Sequence, residues 1–261
     1  MNVAHELFHF LKHKLHAINR HGLHSPFVYN LNTRVLNRNK NFACFESLEK
    51  TRMALLSDHS ELFVEDFGAG SRKNNNPKRS VSSIANQALA PAHQAQALFK
   101  IVEHFKPKTV LELGTSLGLT TCYLAEANKN STIYSIEGSS NIAERANETF
   151  RSRELRNIKL LVGNFDDVLP NLLEDLQTID LAYIDGNHRY DATMRYVEQI
   201  LSKCIDQSIV ILDDIYWSKE MTKVWEELKA DKRFSLSIDY YHFGVLFLQK
   251  RMTKENFSLY Y

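Results

Sequence analysis

The sequence predicts a doubly wound α/β domain, with a mostly parallel sheet and an antiparallel last strand, behind an N-terminal helical extension. Three observations carry this expectation. From Ala92 onward, short apolar runs alternate with amphipathic stretches of helical period, which is the signature of βαβ units. The chain has 261 residues, enough for one large domain with an accessory segment. At 44% hydrophobic and 24% charged residues, it can bury a substantial core.

The elements follow in order. In residues 1–88, Ala4, Leu7, Phe8, Leu11, Leu15 and Ile18 recur at helical spacing, with Lys, His and Arg opposite them. The turn-rich His21–Pro26 breaks that helix, and Phe27–Leu36 and Phe45–Leu56 read as helices. Ser71–Ser80 holds four basic residues, three Asn and no acid, and predicts a mobile surface loop facing an anionic acceptor or partner. The domain itself is expected over 89–261. Its predicted strands are Thr109–Leu113, Thr132–Ile136, Ile158–Val162, Ile179–Ile184, Ser208–Leu212, Phe234–Ile238 and Phe243–Leu248, with helices between the first five.

Bulk properties exclude several classes. A net charge of +1 selects neither nucleic acid nor membrane through a global field. Cys44, Cys122 and Cys204 are far apart and form no CxxC pair, which fits a reducing cytoplasm. No apolar run approaches the ~20 residues a membrane span needs. His9, Lys12, His13 and Lys14 interrupt any signal-peptide core.

In doubly wound folds, ligands sit beyond the carboxyl ends of the strands. The first strand is followed by Gly114-Thr115-Ser116-Leu117-Gly118-Leu119-Thr120-Thr121. Gly114 permits a sharp turn and Gly118 a close approach to a ligand. The next helix offers N–H groups to an anion, with Thr120 and Thr121 as hydroxyl donors. The spacing is GxxxG, a poor match to the GxGxxG of nicotinamide enzymes. The second strand ends at Glu137, nineteen residues past Gly118, where a carboxylate accepts the hydroxyls of a ribose. Asn164 or Asp166, after the third strand, would meet an adenine edge.

The fourth strand ends in Asp185-Gly186-Asn187-His188 and the fifth in Asp213-Asp214. Three acids at neighbouring strand ends repel one another unless a cation is present, and all-oxygen ligation favours Mg²⁺ or Mn²⁺ over zinc. The bland alternative is that one or two of them cap helices.

Taken together these segments resemble a known family. Val110–Gly118 (VLELGTSLG) and Ser135–Ser139 (SIEGS) resemble the first two motifs of class I S-adenosylmethionine (SAM)-dependent methyltransferases, on a Rossmann-like sheet. Asp180–Tyr190 (DLAYIDGNHRY) with Ile211–Asp214 (ILDD) resembles the cation-dependent branch typified by catechol O-methyltransferase, and sugar-modifying relatives with a D-x-x-H arrangement. The resemblance implies that Gly114, Thr115, Ser116, Gly118 and Thr120, with Glu112 nearby, hold the amino-acid end of SAM. It implies that Glu137 takes the ribose, Asn164 and Phe165 flank the adenine, and Asp185 borders the cofactor. Asp185, Asp213 and Asp214 would hold a divalent cation, with Asp185 and His188 as the catalytic pair and His188 as general base. The catechol-type enzymes carry Asn at the position of Asp214 and Lys at that of His188, so the metal site departs from their pattern more than the SAM site does.

The implied reaction is O-methylation of a small molecule, in which the cation helps the acceptor hydroxyl lose its proton. The competing readings are a metal-independent methyltransferase, a nicotinamide-dependent oxidoreductase and a non-catalytic SAM-binding module. Two decoys are set aside. Val64–Gly70 imitates a nucleotide loop but precedes a polar, basic stretch, and it reads as a loop at the active-site mouth. His5, His9 and His13 share a helical face at metal-ligand spacing, without a nearby acid or Cys cluster, and a solvated face is expected. Residues 1–88 are expected to serve as a substrate lid, or to pack on their own domain or on a second subunit in a homodimer.

Overall fold

The structure is a computed structural model that describes residues 3–19, 22–37, 40–64, 78–249 and 253–260. Most of the basic loop 71–80 and of the decoy loop 64–70 lies outside the described residues. In chain order the helices are α1 (Val3–His16), α2 (Pro26–Asn30, continued by a π-helical turn Leu31–Leu36), α3 (Ala43–Ser57), α4 (Val81–Ala88), α5 (Ala92–Phe105), α6 (Leu119–Ala127), α7 (Ser140–Ser152), α8 (Phe165–Asp175), α9 (Tyr190–Leu201) and α10 (Lys219–Ala230). The strands are β1 (Glu61–Phe63), β2 (Lys78–Ser80), β3 (Thr109–Leu113), β4 (Thr132–Glu137), β5 (Ile158–Val162), β6 (Ile179–Ile184), β7 (Cys204–Asp213), β8 (Leu236–Asp239), β9 (Phe243–Phe247) and β10 (Glu255–Ser258).

The chain divides into two compact units, residues 38–172 and residues 1–37 with 173–261. In the first, β3 pairs in parallel with β4, and β4 with β5. Residues 110–113 are buried on both faces of the strand, Glu112 included, so its burial is continuous rather than alternating. Phe45 and Leu48 of α3, Val81 and Ile84 of α4, Phe99 of α5, Tyr123 of α6 and Phe150 of α7 join one apolar core. Ser80 caps α4 by accepting the Ser83 N–H at 3.1 Å.

In the second unit β6 and β7 are parallel, and β7 begins at Cys204, earlier than its apolar run predicts. The antiparallel strand is β9, and it lies between β7 and β8. A further strand, β10, pairs in parallel with β8. Its sequence, ENFS, has no apolar run that announces a strand. Gly244 on β9 lies against the Trp225 ring of α10, where a Cβ would collide, so the glycine is required by packing.

The first helix corrects the sequence reading. His5, His9 and His13, expected on a solvated face, form its packed face. His9 stacks on Tyr216 with ring centroids 4.7 Å apart, His5 Nε2 lies 3.0 Å from Thr222 Oγ1, and the buried His13 meets Asp239 and Tyr241. Polar aromatic and carboxylate partners suit imidazole rings better than aliphatic ones, so the histidines face inward and the leucines outward. The helix stops at His16, and Ile18, expected to extend its stripe, instead bridges to Leu259.

Candidate functional site

The first group of site residues lies in the unit 38–172, at the ends of β3, β4 and β5. Glu112 on β3 is fully buried. Its Oε2 accepts hydrogen bonds from Thr121 Oγ1 at 2.6 Å and Ser135 Oγ at 2.5 Å. Ser135 has one hydroxyl proton, so Thr115 Oγ1, 2.5 Å from Ser135 Oγ, is the donor in that pair. A chain Thr115–Ser135–Glu112–Thr121 therefore ties the turn after β3 to β4 and to the start of α6. Among the described residues Glu112 Oε1 has no hydrogen-bond partner, and burial pushes the carboxyl up to about 7 despite the two hydroxyl donors. Thr115 and Thr121 are turned inward to this network, so Thr121 is not the solvent-facing donor the sequence suggests.

The turn itself closes on β4. The N–H groups of Gly114 and Thr115 donate to Ile136 O, and that of Gly118 donates to Thr115 O. Ser116 adopts φ 48° and Gly118 φ 79°. A Cβ on Gly118 would stand 2.5 Å and 2.8 Å from two ring carbons of Phe150, so both the backbone angle and α7 demand glycine there. With these amides committed, the expected anion donors would come from the first turn of α6, where Thr120 is half-buried.

Glu137, half-buried at the end of β4, is held from two sides. Its Oε2 accepts the Ser116 N–H at 2.8 Å and its Oε1 the Ser139 N–H at 3.0 Å. The two amides thereby set the orientation of the carboxylate, whose oxygens each carry two lone pairs. Asn164 caps α8 through its Oδ1, which accepts the Asp166 N–H at 3.1 Å, and Phe165 presents a half-buried ring beside it. A left-handed turn, an oriented carboxylate and an aromatic face at three successive strand ends fit an adenosyl group.

The second group lies in the unit of residues 1–37 and 173–261. Asp213, at 5% exposure, ends β7 and accepts the Asp214 N–H at 3.0 Å. The buried Tyr183 of β6 donates its hydroxyl to Asp213 Oδ2 at 2.5 Å and has Asp185 Oδ2 3.3 Å away. Tyr183 thus links the two strand ends. It escaped the sequence reading, which sought charge at strand termini and passed over a phenol inside the strand. Burial, reinforced by the neighbouring Asp214, raises the Asp213 carboxyl, and burial with Glu6 raises that of Asp214. His188 Nε2 lies 3.7 Å from Asp185 Oδ1, and its ring tilts against Trp217 at 5.2 Å. Asn187, His188 and Asp214, in the two acid-bearing turns, all have positive φ.

The acids have the oxygen chemistry of a hard cation. Among the described residues, no three His, Cys, Asp or Glu side chains are gathered to hold a metal ion, and the Asp213 carboxylate is engaged by Tyr183.

Residues 111–215 match a family described as "Methyltransferase domain". No curated protein matches the chain. Among solved structures, the chain is similar to a SAH-bound methyltransferase of Podospora anserina, at TM-score 0.61 and 15% identity over 87% of this chain and 97% of that one. It is similar to an O-methyltransferase of Bacillus cereus in complex with SAH, at TM-score 0.56 and 16% identity over 84% of this chain and 97% of that one. The O-methyltransferase TomG of Streptomyces achromogenes, in complex with SAM, matches at TM-score 0.55 and 18% identity over 62% of this chain and 82% of that one. Residues 111–215 thus match a methyltransferase domain, and the chain shares the Rossmann-like fold of these SAM- and SAH-bound structures.

Proposed function

We propose that the chain transfers a methyl group from SAM to a hydroxyl oxygen of a small-molecule acceptor. The observation that carries this reading is Glu137, whose two oxygens are oriented by the Ser116 and Ser139 amides at the rim of the glycine turn. When bound, SAM supplies a methyl group on a sulfonium, which needs positioning more than activation. Glu137 would accept the ribose hydroxyls, Phe165 and Asn164 would flank the adenine, and Gly114, Thr115, Ser116, Gly118 and Thr120 would shape the bed for the amino-acid end. Glu112 braces that bed from below through Ser135 and Thr121.

Acceptor chemistry is assigned to Asp185 and His188. His188 would take the hydroxyl proton, and the Asp185 carboxylate beside it would favour the charged imidazole that results. O-transfer is the reaction named for the similar Bacillus and Streptomyces proteins. The basic composition of 71–80 supports an anionic acceptor, and residues 1–88 are assigned an accessory role.

A second reading adds a divalent cation on Asp185, Asp213 and Asp214. The raised carboxyls of Asp213 and Asp214 favour it, because a cation would relieve both burial and repulsion. It requires the Tyr183 hydroxyl to leave Asp213. Transfer of labelled methyl from SAM to a panel of sugar and phenol hydroxyls, with and without EDTA, tests both readings. Transfer that survives EDTA supports the first, and transfer that EDTA stops and Mg²⁺ restores supports the second. Binding of SAM with no transfer to any oxygen acceptor contradicts both.

A further inference from the structure

The histidine face of α1 is packed, and what it leaves outside is unusual. Leu7, Phe8, Leu11 and Leu15 are 55%, 62%, 52% and 82% exposed. Projected at about 100° per residue, these four and the exposed Ala4 fill one arc of the helix, with Lys14 at one edge and Lys12 at the other. Both lysines are exposed, and Lys14 lies over the ring of Phe10, which is itself 37% exposed. The helix's acid, Glu6, is on the opposite side, where its backbone oxygen accepts the Tyr241 hydroxyl. The outward face therefore carries bulky apolar side chains and positive charge only.

We propose that this face of α1 docks on an anionic membrane surface. A helix of 14 residues is about 21 Å long, too short to cross the ~30 Å core of a bilayer but suited to lie in its interface. Bulky side chains enter the boundary between headgroups and chains, and lysines at both edges of the apolar arc reach back to phosphate and carboxylate groups. Charge argues against a second copy as the occupant. In a two-fold contact the same face meets itself, so Lys12 and Lys14 would confront lysines with no acid to pair. The packed side is well anchored for such a role: His5, His9 and His13 hold the helix to Thr222, Tyr216 and Asp239, and the Tyr260 hydroxyl bonds Lys14 O. Docking of α1 is independent of the methyl-transfer reading.

The test is sedimentation of the full chain with phosphatidylcholine–phosphatidylserine vesicles and with phosphatidylcholine vesicles alone. The expected result is binding to the anionic vesicles that weakens at high salt. Leu11→Ser with Leu15→Ser, and separately Lys12→Glu with Lys14→Glu, should each weaken it at least tenfold while leaving the thermal midpoint unchanged, because these side chains are exposed. Should the double Leu variant fold poorly, Leu15→Ser alone, at the most exposed position, should still weaken binding several-fold. Absence of vesicle binding, or binding indifferent to the Leu and Lys changes, overturns the proposal. So does a dimer in solution that the Leu11→Ser, Leu15→Ser variant dissolves while vesicles stay unbound.

Discussion

The Tyr183 hydroxyl donates a hydrogen bond to Asp213 Oδ2 at 2.5 Å, joining the ends of two neighbouring parallel strands through one phenol. Tyr183→Phe keeps the ring and removes the donor, leaving a buried carboxylate short of a partner. Unfolding in urea should show a loss of about 1–3 kcal/mol. A variant as stable as the parent would mean that Asp213 is satisfied without the phenol.

A second prediction concerns pH. Burial raises the Glu112 carboxyl to about 7, so the folded chain holds a proton that the unfolded chain releases near pH ~4. The stability this contributes is fully present below the unfolded value and is lost as pH rises through about 7. Asp213 and Asp214 act in the same direction. The thermal midpoint should therefore fall from about pH 5 to about pH 8, and Glu112→Gln should flatten that fall. An equal slope in the variant would show that Glu112 does not carry the proton.

Gly118 gives a third. Gly118→Ala places a methyl group against Phe150 in a left-handed backbone, and should cost about 2–4 kcal/mol from overpacking and strain combined. Adding Phe150→Ala to Gly118→Ala removes the collision with the ring, leaving the backbone strain and a tight contact with Ala146. Relative to Phe150→Ala alone, the alanine at 118 should then cost only about 1–2 kcal/mol. A double-mutant cycle by chemical denaturation measures the difference, and strict additivity would contradict the packing account.

Much of this architecture was legible in the sequence, for reasons that can be traced. Thr109–Leu113, Ile158–Val162 and Ile179–Ile184 are strands with the predicted bounds, because short, mostly apolar runs between turn residues mark strands of a sheet flanked by helices. β10 was hidden because an edge strand of mixed polarity is specified by its partner rather than by its own pattern. Helical spacing located α1 but not its orientation. A stripe of leucines and a stripe of histidines both have period 3.6, and only Tyr216, Asp239 and Tyr241 decide which one is packed. At the ends of β3 and β4, the turn and Glu137 stood out by spacing. The double amide clamp on Glu137 and the buried Ser135–Glu112–Thr121 chain did not, because both depend on how β3 and β4 are paired.

The acceptor side gives a fourth prediction. His188→Ala should lower the methyl-transfer rate by roughly 10²–10⁴ with SAM affinity unchanged, the size expected for loss of a general base. Asp185→Asn should lower it in the same direction, since the neighbouring carboxylate no longer favours the protonated ring. Full rate in both variants would remove the pair from the mechanism.

The central claim is that the turn after β3 and Glu137 form a SAM cradle, and calorimetric titration tests it most directly. SAM or its demethylated product should bind the full chain in the micromolar range, about −7 to −8 kcal/mol. Glu137→Ala should weaken binding by about 1.5–3 kcal/mol through loss of charged hydrogen bonds to the ribose. NAD should show no comparable heat. Tight NAD binding without SAM binding, or SAM binding indifferent to Glu137, would contradict the account.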